Sequence, residues 1–412
     1  MKYSLSLLLA TLAVLWILWT QVHDPRWQGH IVVDPVVYWQ RATSFFTHDG
    51  SWSGLETNEY QPGALWFFAG IGRMTGAPGE FDPFFKGLLA VNLLLLAGHV
   101  LLARFCGPAF APWLMLLFAL LAGPLLLCRF ELLVSLLVLG AWALWVRGHL
   151  SPAGFLLGAA TATKIYPVLL VPFLAASAWR RGGWRNAARG LLWWGAGGFL
   201  VVGTLGMWGS EWRAVRAALQ FHFDKPFGIE GLLGSGIPLA QWWLGIPLRM
   251  APRNGIYGFE SDLGTAVTFL LQWSWVAAAA GIFFLVWRRR CADLWSDPGV
   301  LFVLFGWYVV LGKLMAPQYT WWAVPFLALT DSQRLGPRRR VVVILLVAAS
   351  LLLGQVVYPL NYSEFLEGFN GEYHRNRFFW INVVKNLLWL AAVLAATLAL
   401  VPRTLRDSRV GG

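Results

Sequence analysis

The sequence predicts an all-α, polytopic membrane protein forming a single domain over residues 1–412. Three observations predict it. Hydrophobic residues make up 58% of the chain and charged ones 13%, where a soluble domain carries about 25% charged residues. Apolar runs long enough to approach a bilayer's thickness recur along the whole chain. The basic residues sit in short clusters beside those runs, at Arg180-Arg181, Arg288–Arg290 and Arg338–Arg340. That placement is the positive-inside pattern of membrane proteins. It accounts for the net charge of +12 without a nucleic-acid partner and favours anionic membrane lipids on the same face.

A membrane-crossing helix needs about 20 apolar residues. Runs of this kind fall near 4–21, 84–104, 110–127, 131–147, 189–208, 264–287, 298–313, 317–330, 340–358 and 381–401. The first is expected to stay as an uncleaved anchor, because Trp19-Thr-Gln-Val-His-Asp-Pro25 lacks a small-x-small cleavage pattern. With Lys2 cytoplasmic, Arg104, Arg147 and the clusters at 180–189, 288–290, 334–340 and 403–409 all require the cytoplasmic side. The segment Pro152–Trp179 is basic at both flanks yet too short for two full spans. It reads as a broken hairpin turning at Lys164-Ile-Tyr-Pro167, since proline disfavours helix at the residue before it. The count is about 12 transmembrane helices, two of them short, in an inner (plasma) membrane with both termini cytoplasmic. Large loops then fall outside at 21–83, 209–263 and 359–380. Twelve spans would suit a secondary transporter, but no internal repeat is visible and large outer loops are not what that architecture predicts.

The first outer loop holds seven carboxylates against three arginines, which suggests chemistry at the membrane surface. Asp34 precedes Val36–Phe46, whose apolar spacing suits an amphipathic helix lying along the interface. Its carboxylate can serve as a general base toward a sugar or lipid hydroxyl. It can equally cap a helix opened by Pro35, and the residues alone leave both readings open. Tyr60-Gln61-Pro62 reads as a turn feeding a membrane-seated helix. A lysine inside a span costs about 2.5–3.5 kcal/mol, so Lys164 and Lys313 need either an anionic lipid phosphate or a carboxylate such as Glu131 or Asp34. Arg129 and Glu131, flanking Phe130, read as an interfacial ion pair.

His222, Lys225 and Glu230 cluster among aromatics in the second outer loop. His222 and Lys225 can neutralise a departing phosphate, or the segment is simply a solvated loop. In the third, Tyr362, Tyr373 and Trp380 among mixed charges suit either an acceptor groove or a wet loop. His30 and Asp34 alone do not make a metal site, and phosphate-loop and nucleophile-elbow patterns are absent where they would count, so neither metal nor cofactor is expected. Cys106, Cys128 and Cys291 carry no zinc or disulfide spacing. The glycines at 154 and 158 form a small helix-packing pattern.

Taken in order, these segments resemble the GT-C superfamily of polytopic glycosyltransferases, and within it glycosyltransferase family 87, which uses polyprenol-phosphate-mannose. The matching elements are Asp34-Pro-Val-Val-Tyr38, Tyr60-Gln-Pro62, Gly154–Gly158 with Lys164-Ile-Tyr-Pro167, Lys225-Pro-Phe-Gly-Ile-Glu230, and Lys313–Tyr319 with Trp322-Ala-Val-Pro325. Gln61, Gly228 and Gly231 depart from the family's pattern. The resemblance implies an inverting transfer of a mannose-like hexose from a polyprenyl-phosphate donor to an extracytoplasmic lipid or glycan acceptor, with Asp34 as base. Lys164, His222, Lys225 and Lys313 would hold the donor phosphate. Tyr38, Tyr60, Glu230, Gln318 and Tyr319 would line the substrate site. A transporter or flippase of a lipid-linked glycan is the alternative.

Overall fold

The computed structural model describes residues 2–48, 59–207, 212–224, 227–245, 249–253, 256–260, 273–288, 292–313, 315–331, 335–368 and 373–400. Helices run over Lys2–Val22 (α1), Pro25–Ile31 (α2), Val33–Thr47 (α3), Pro62–Thr75 (α4), Phe81–Cys106 (α5), Ala111–Ala122 (α6), Glu131–Val146 (α7), Leu150–Thr163 (α8), Val171–Met207 (α9), Trp212–Asp224 (α10) and Leu232–Leu244 (α11). An antiparallel pair of strands follows, Arg249–Arg253 (β1) and Ile256–Glu260 (β2), with Ala251 opposite Gly258. The rest is helical: Ser274–Trp287 (α12), Pro298–Leu311 (α13), Val324–Leu329 (α14), Pro337–Val357 (α15), Tyr362–Glu367 (α16) and Arg377–Leu400 (α17). Short 3-10 turns intervene, among them Pro124–Cys128, Tyr166–Leu170 and Pro317–Trp322.

Four helices among the described residues are long and apolar enough to cross a bilayer: Leu5–Val22, Phe81–Cys106, Pro337–Val357 and Arg377–Ala399. The chain is a predominantly helical membrane protein. Helices α6, α7, α8, α12 and α13 are apolar but shorter. The run expected over 110–127 stops at Ala122, where Gly123 takes φ +67° and Pro124 opens a 3-10 turn. The run expected over 317–330 is divided at Ala323 between a 3-10 turn and α14, each with a proline near its start. Of the expected outer loops, 21–83 carries α2, α3 and α4, while 209–263 carries α10, α11 and the strand pair. That short pair is a local addition to an otherwise helical chain. Asn254-Gly255, the dipeptide type most strongly associated with tight hairpins, stands between the two strands in sequence.

The chain divides into two compact units, one of Met1–Cys106 with Pro124–Asp224 and the other of Gly107–Gly123 with Lys225–Gly412. In the first unit the expected break after α8 is present. Lys164 is extended, with φ −155° and ψ 141°, and the chain resumes as a 3-10 turn at Tyr166. Helix α9 then breaks at Gly182 and Gly183, within the basic cluster; Gly183 has φ +72°, which glycine adopts without steric cost. The arm beyond that break lies against α8 at main-chain contact. A Cβ on Gly154 would strike the carbonyl of Gly190, and one on Gly158 would strike that of Trp194. Trp145 of α7 is buried and donates to Ser177 Oγ at 3.0 Å.

In the second unit α15 and α17 lie side by side, with Ser350 Oγ donating to the carbonyl of Lys385 at 2.9 Å. Trp389 is fully buried and donates to the Gly306 carbonyl of α13 at 3.4 Å. Asp297 caps α13, accepting from Gly299 N at 2.8 Å and Val300 N at 3.3 Å.

Candidate functional site

Asp34 lies in the first turn of α3, whose N-cap is Val32 and not Asp34. The capping alternative fails because Val32 is itself in the helical region, with φ −83° and ψ −11°, and accepts from Val36 N at 3.0 Å. The helix thus begins ahead of Pro35, whose missing N–H falls in the first turn, where donors have no intrahelical partner anyway. The carboxylate is left for other work, and it forms an ion pair with Arg129. Arg129 is buried, its side chain 3% exposed, while that of Asp34 is 35% exposed.

Arg129 ends the turn between the 3-10 segment Pro124–Cys128 and α7. Asn92 of α5, itself buried, fixes that turn by donating to the carbonyls of Leu127 at 2.6 Å and Arg129 at 2.9 Å. Two residues on, Glu131 opens α7 and accepts from Lys164 Nζ at 2.5 Å. The Lys164 and Glu131 side chains are 13% and 3% exposed. Arg129 and Glu131, expected to pair with each other, thus each take a partner from another element. Of the alternatives for Lys164, the structure contains the carboxylate pairing. Its ammonium also stands 4.6 Å from the centre of the Phe130 ring.

Beneath the charges lies an aromatic cradle. Tyr38, one turn along α3 from Asp34, stacks on Phe68 with centroids 4.2 Å apart and meets Tyr60 edge-on at 5.4 Å. Phe130 packs edge-on against Tyr38, Tyr60 and Phe68 at 5.8, 5.9 and 5.6 Å. Such pairs each add about 0.5–1.5 kcal/mol beyond simple burial, so the cradle holds the helix bearing Asp34 firmly. Gly63 of α4 sits directly on Thr163, the last residue of α8, which sets the position from which Lys164 reaches back. Asp34, Tyr38, Tyr60 and Lys164 therefore come together in the first unit, joined by Arg129, Glu131 and Phe130. Nearby in sequence, Asp24 caps α2, and its hydrogen-bonded partner Arg26 holds its carboxyl below the usual range.

Glu230, Lys313, Gln318 and Tyr319 belong to the second unit. Glu230 Oε1 accepts from Tyr362 Oη at 2.6 Å. The Lys313 carbonyl accepts from Gly228 N at 2.7 Å. Tyr319 stacks on Trp322 at 4.4 Å, and the Gln318 side-chain oxygen is shielded from solvent without a hydrogen-bond partner among the described residues. The side chain of His222 and the whole of Lys225 lie outside the described residues.

One charged residue here is easily passed over in the sequence. Lys385, inside α17 and 3% exposed, donates to the carbonyls of Glu230 at 3.1 Å and Met315 at 3.4 Å. Asn386 donates to the same Glu230 carbonyl at 3.1 Å, and Asn382 to that of Ile229 at 3.2 Å. Together they pin the turns carrying Glu230 and Met315 to α17. A signal for it exists, since a lysine within an apolar run is costly enough to demand a purpose. Among the described residues no group of three or more His, Cys, Asp or Glu is placed to hold a metal ion. Comparison of the chain with protein-family models and with curated proteins finds no match.

Proposed function

We propose that the chain is a GT-C-type membrane glycosyltransferase of about 12 spans, acting on the extracytoplasmic face of the plasma membrane. It would transfer a mannose-like hexose from a polyprenyl phosphate to a lipid or glycan acceptor with inversion. The observation that carries this reading is the placement of Asp34: a partly exposed carboxylate on a rigid aromatic bed, in a cluster with the cations Arg129 and Lys164. The acceptor oxygen attacks the sugar's anomeric carbon as its proton passes to Asp34. The bond from that carbon to the phosphate oxygen breaks, and its electron pair stays on the phosphate. Phosphate is a good leaving group, so cations suffice and no general acid is required. Lys164 and Lys313, with His222 and Lys225, are the proposed phosphate holders. Tyr38, Tyr60, Glu230, Gln318 and Tyr319 are proposed to line the substrate path. The sugar and donor types rest on the resemblance of the motifs.

Asp34→Asn, in membranes supplied with labelled polyprenyl-phosphate sugar, is expected to lower transfer by about 10²–10⁴, the usual worth of a general base. Normal transfer by a correctly inserted variant would overturn the assignment. One observation favours a second reading, a flippase or transporter of a lipid-linked glycan: Lys385 is an ionisable group buried within a candidate span, as such pathways require. Movement of labelled lipid across vesicles without sugar transfer would select it.

A further inference from the structure

The two ion pairs around Asp34 each match one cation with one carboxylate. Arg129 is matched by Asp34 and Lys164 by Glu131, and Glu59 adds a third carboxylate within electrostatic reach of Lys164. A polyprenyl phosphodiester brings one more negative charge, and the lipid phosphate it leaves behind carries up to two. At rest both Arg129 and Lys164 are engaged with carboxylates. Within the Asp34–Arg129 pair the guanidinium is the buried member and the carboxylate the outward one. The turn carrying Arg129 is held at its main chain by Asn92, and the Asp34 carboxylate covers the guanidinium.

Resting on the transferase reading, we propose that Arg129 is a catalytic residue covered by Asp34 at rest and handed to the leaving phosphate as Asp34 takes the acceptor's proton. The charges balance. The acceptor O–H bond breaks and its proton goes to Asp34, which passes from −1 to neutral. The bond between the anomeric carbon and the phosphate oxygen breaks as the new glycosidic bond forms, and the phosphate passes from −1 to −2. One unit of negative charge thus moves from carboxylate to phosphate, and Arg129, whose paired carboxylate is neutralised, lies where that charge is to be met. The contact strengthens only as the reaction proceeds, so it raises kcat rather than lowering KM for the donor.

The test uses the full chain in lipid nanodiscs with polyprenyl phosphate itself as probe. Asp34→Asn imitates the protonated base and uncovers Arg129. It is expected to bind polyprenyl phosphate at least about tenfold more tightly than the native chain, the scale of one hydrogen bond between charged groups. Asp34→Ala, a second variant, should do the same. Adding Arg129→Gln should remove the gain, whereas Arg129→Lys should retain part of it. In turnover, Arg129→Gln alone should lose about 10²–10³ in kcat, the usual cost of removing one fixed oxyanion donor, with donor KM within about threefold. Unchanged or weaker binding by both Asp34 variants overturns the proposal, as does a gain that survives Arg129→Gln. These binding outcomes do not depend on transfer, so they stand apart from the loss of function that tests the base itself.

Discussion

Glu131→Gln is expected to destabilise the protein by about 3–5 kcal/mol, the usual cost of breaking a buried ion pair by removing one member. The substitution removes the carboxylate that meets Lys164 Nζ, and with it the nearest countercharge of a buried ammonium. Replacing both members, Glu131→Leu with Lys164→Met, removes the two desolvation costs together. It is expected to recover most of the loss, since apolar replacement of a buried pair is often neutral or stabilising. Thermal unfolding in detergent of the single variants and the double gives the coupling directly. If the double variant is as unstable as Glu131→Gln, the pair is not what the substitution disturbs. Transfer measured on the double variant separates the two readings of Lys164. Recovered stability with absent transfer assigns the lysine to phosphate, and recovery of both leaves it a structural partner of Glu131.

The polar pattern of the sequence is most misleading at Asp34. In the Asp-Pro dipeptides at Asp24 and Asp297 the aspartate caps the following helix, and at Asp34 it does not. The difference lies upstream, where Val32 carries α2 into α3 with no extended residue between them, a joint that local residue preferences do not encode. The helix after Asp34 and the break at Lys164 are legible, because apolar spacing and proline act locally. The partners of Asp34 and Lys164 are not. They depend on the turn at 127–129, which Asn92 holds from 35 to 37 positions away. The long apolar segments are plain in the sequence, but the divisions at Gly123 and Ala323 rest on the weaker glycine and proline signals within them. Lys385 is hidden because it sits in an otherwise convincing span, where overall hydropathy conceals a single charge.

Gly154 and Gly158, a faint pattern in the sequence, carry the second large effect. A Cβ at Gly158 would overlap the Trp194 carbonyl oxygen and come within 2.7 Å of Gly198 N, both main-chain atoms of the arm of α9 beyond its break. Gly197 returns the constraint, since its own Cβ would strike the carbonyl of Phe155. Small residues at this spacing let membrane helices approach at the backbone, and no rotamer change can relieve a clash with a carbonyl. Gly158→Ala must push α8 and α9 apart and is expected to cost about 1–3 kcal/mol or more, as overpacking does. The displacement would reach Thr163 and Lys164 at the end of α8, so the transfer activity proposed above should fall with stability. Gly195, on the facing arm of α9, provides the control. A Cβ there would meet nothing within 4 Å, so Gly195→Ala should stabilise by about 0.5–1 kcal/mol through helix propensity alone. The same chemical change thus acquires opposite signs on two packed helices, and equal unfolding temperatures for the two variants would refute the close approach of α8 and α9.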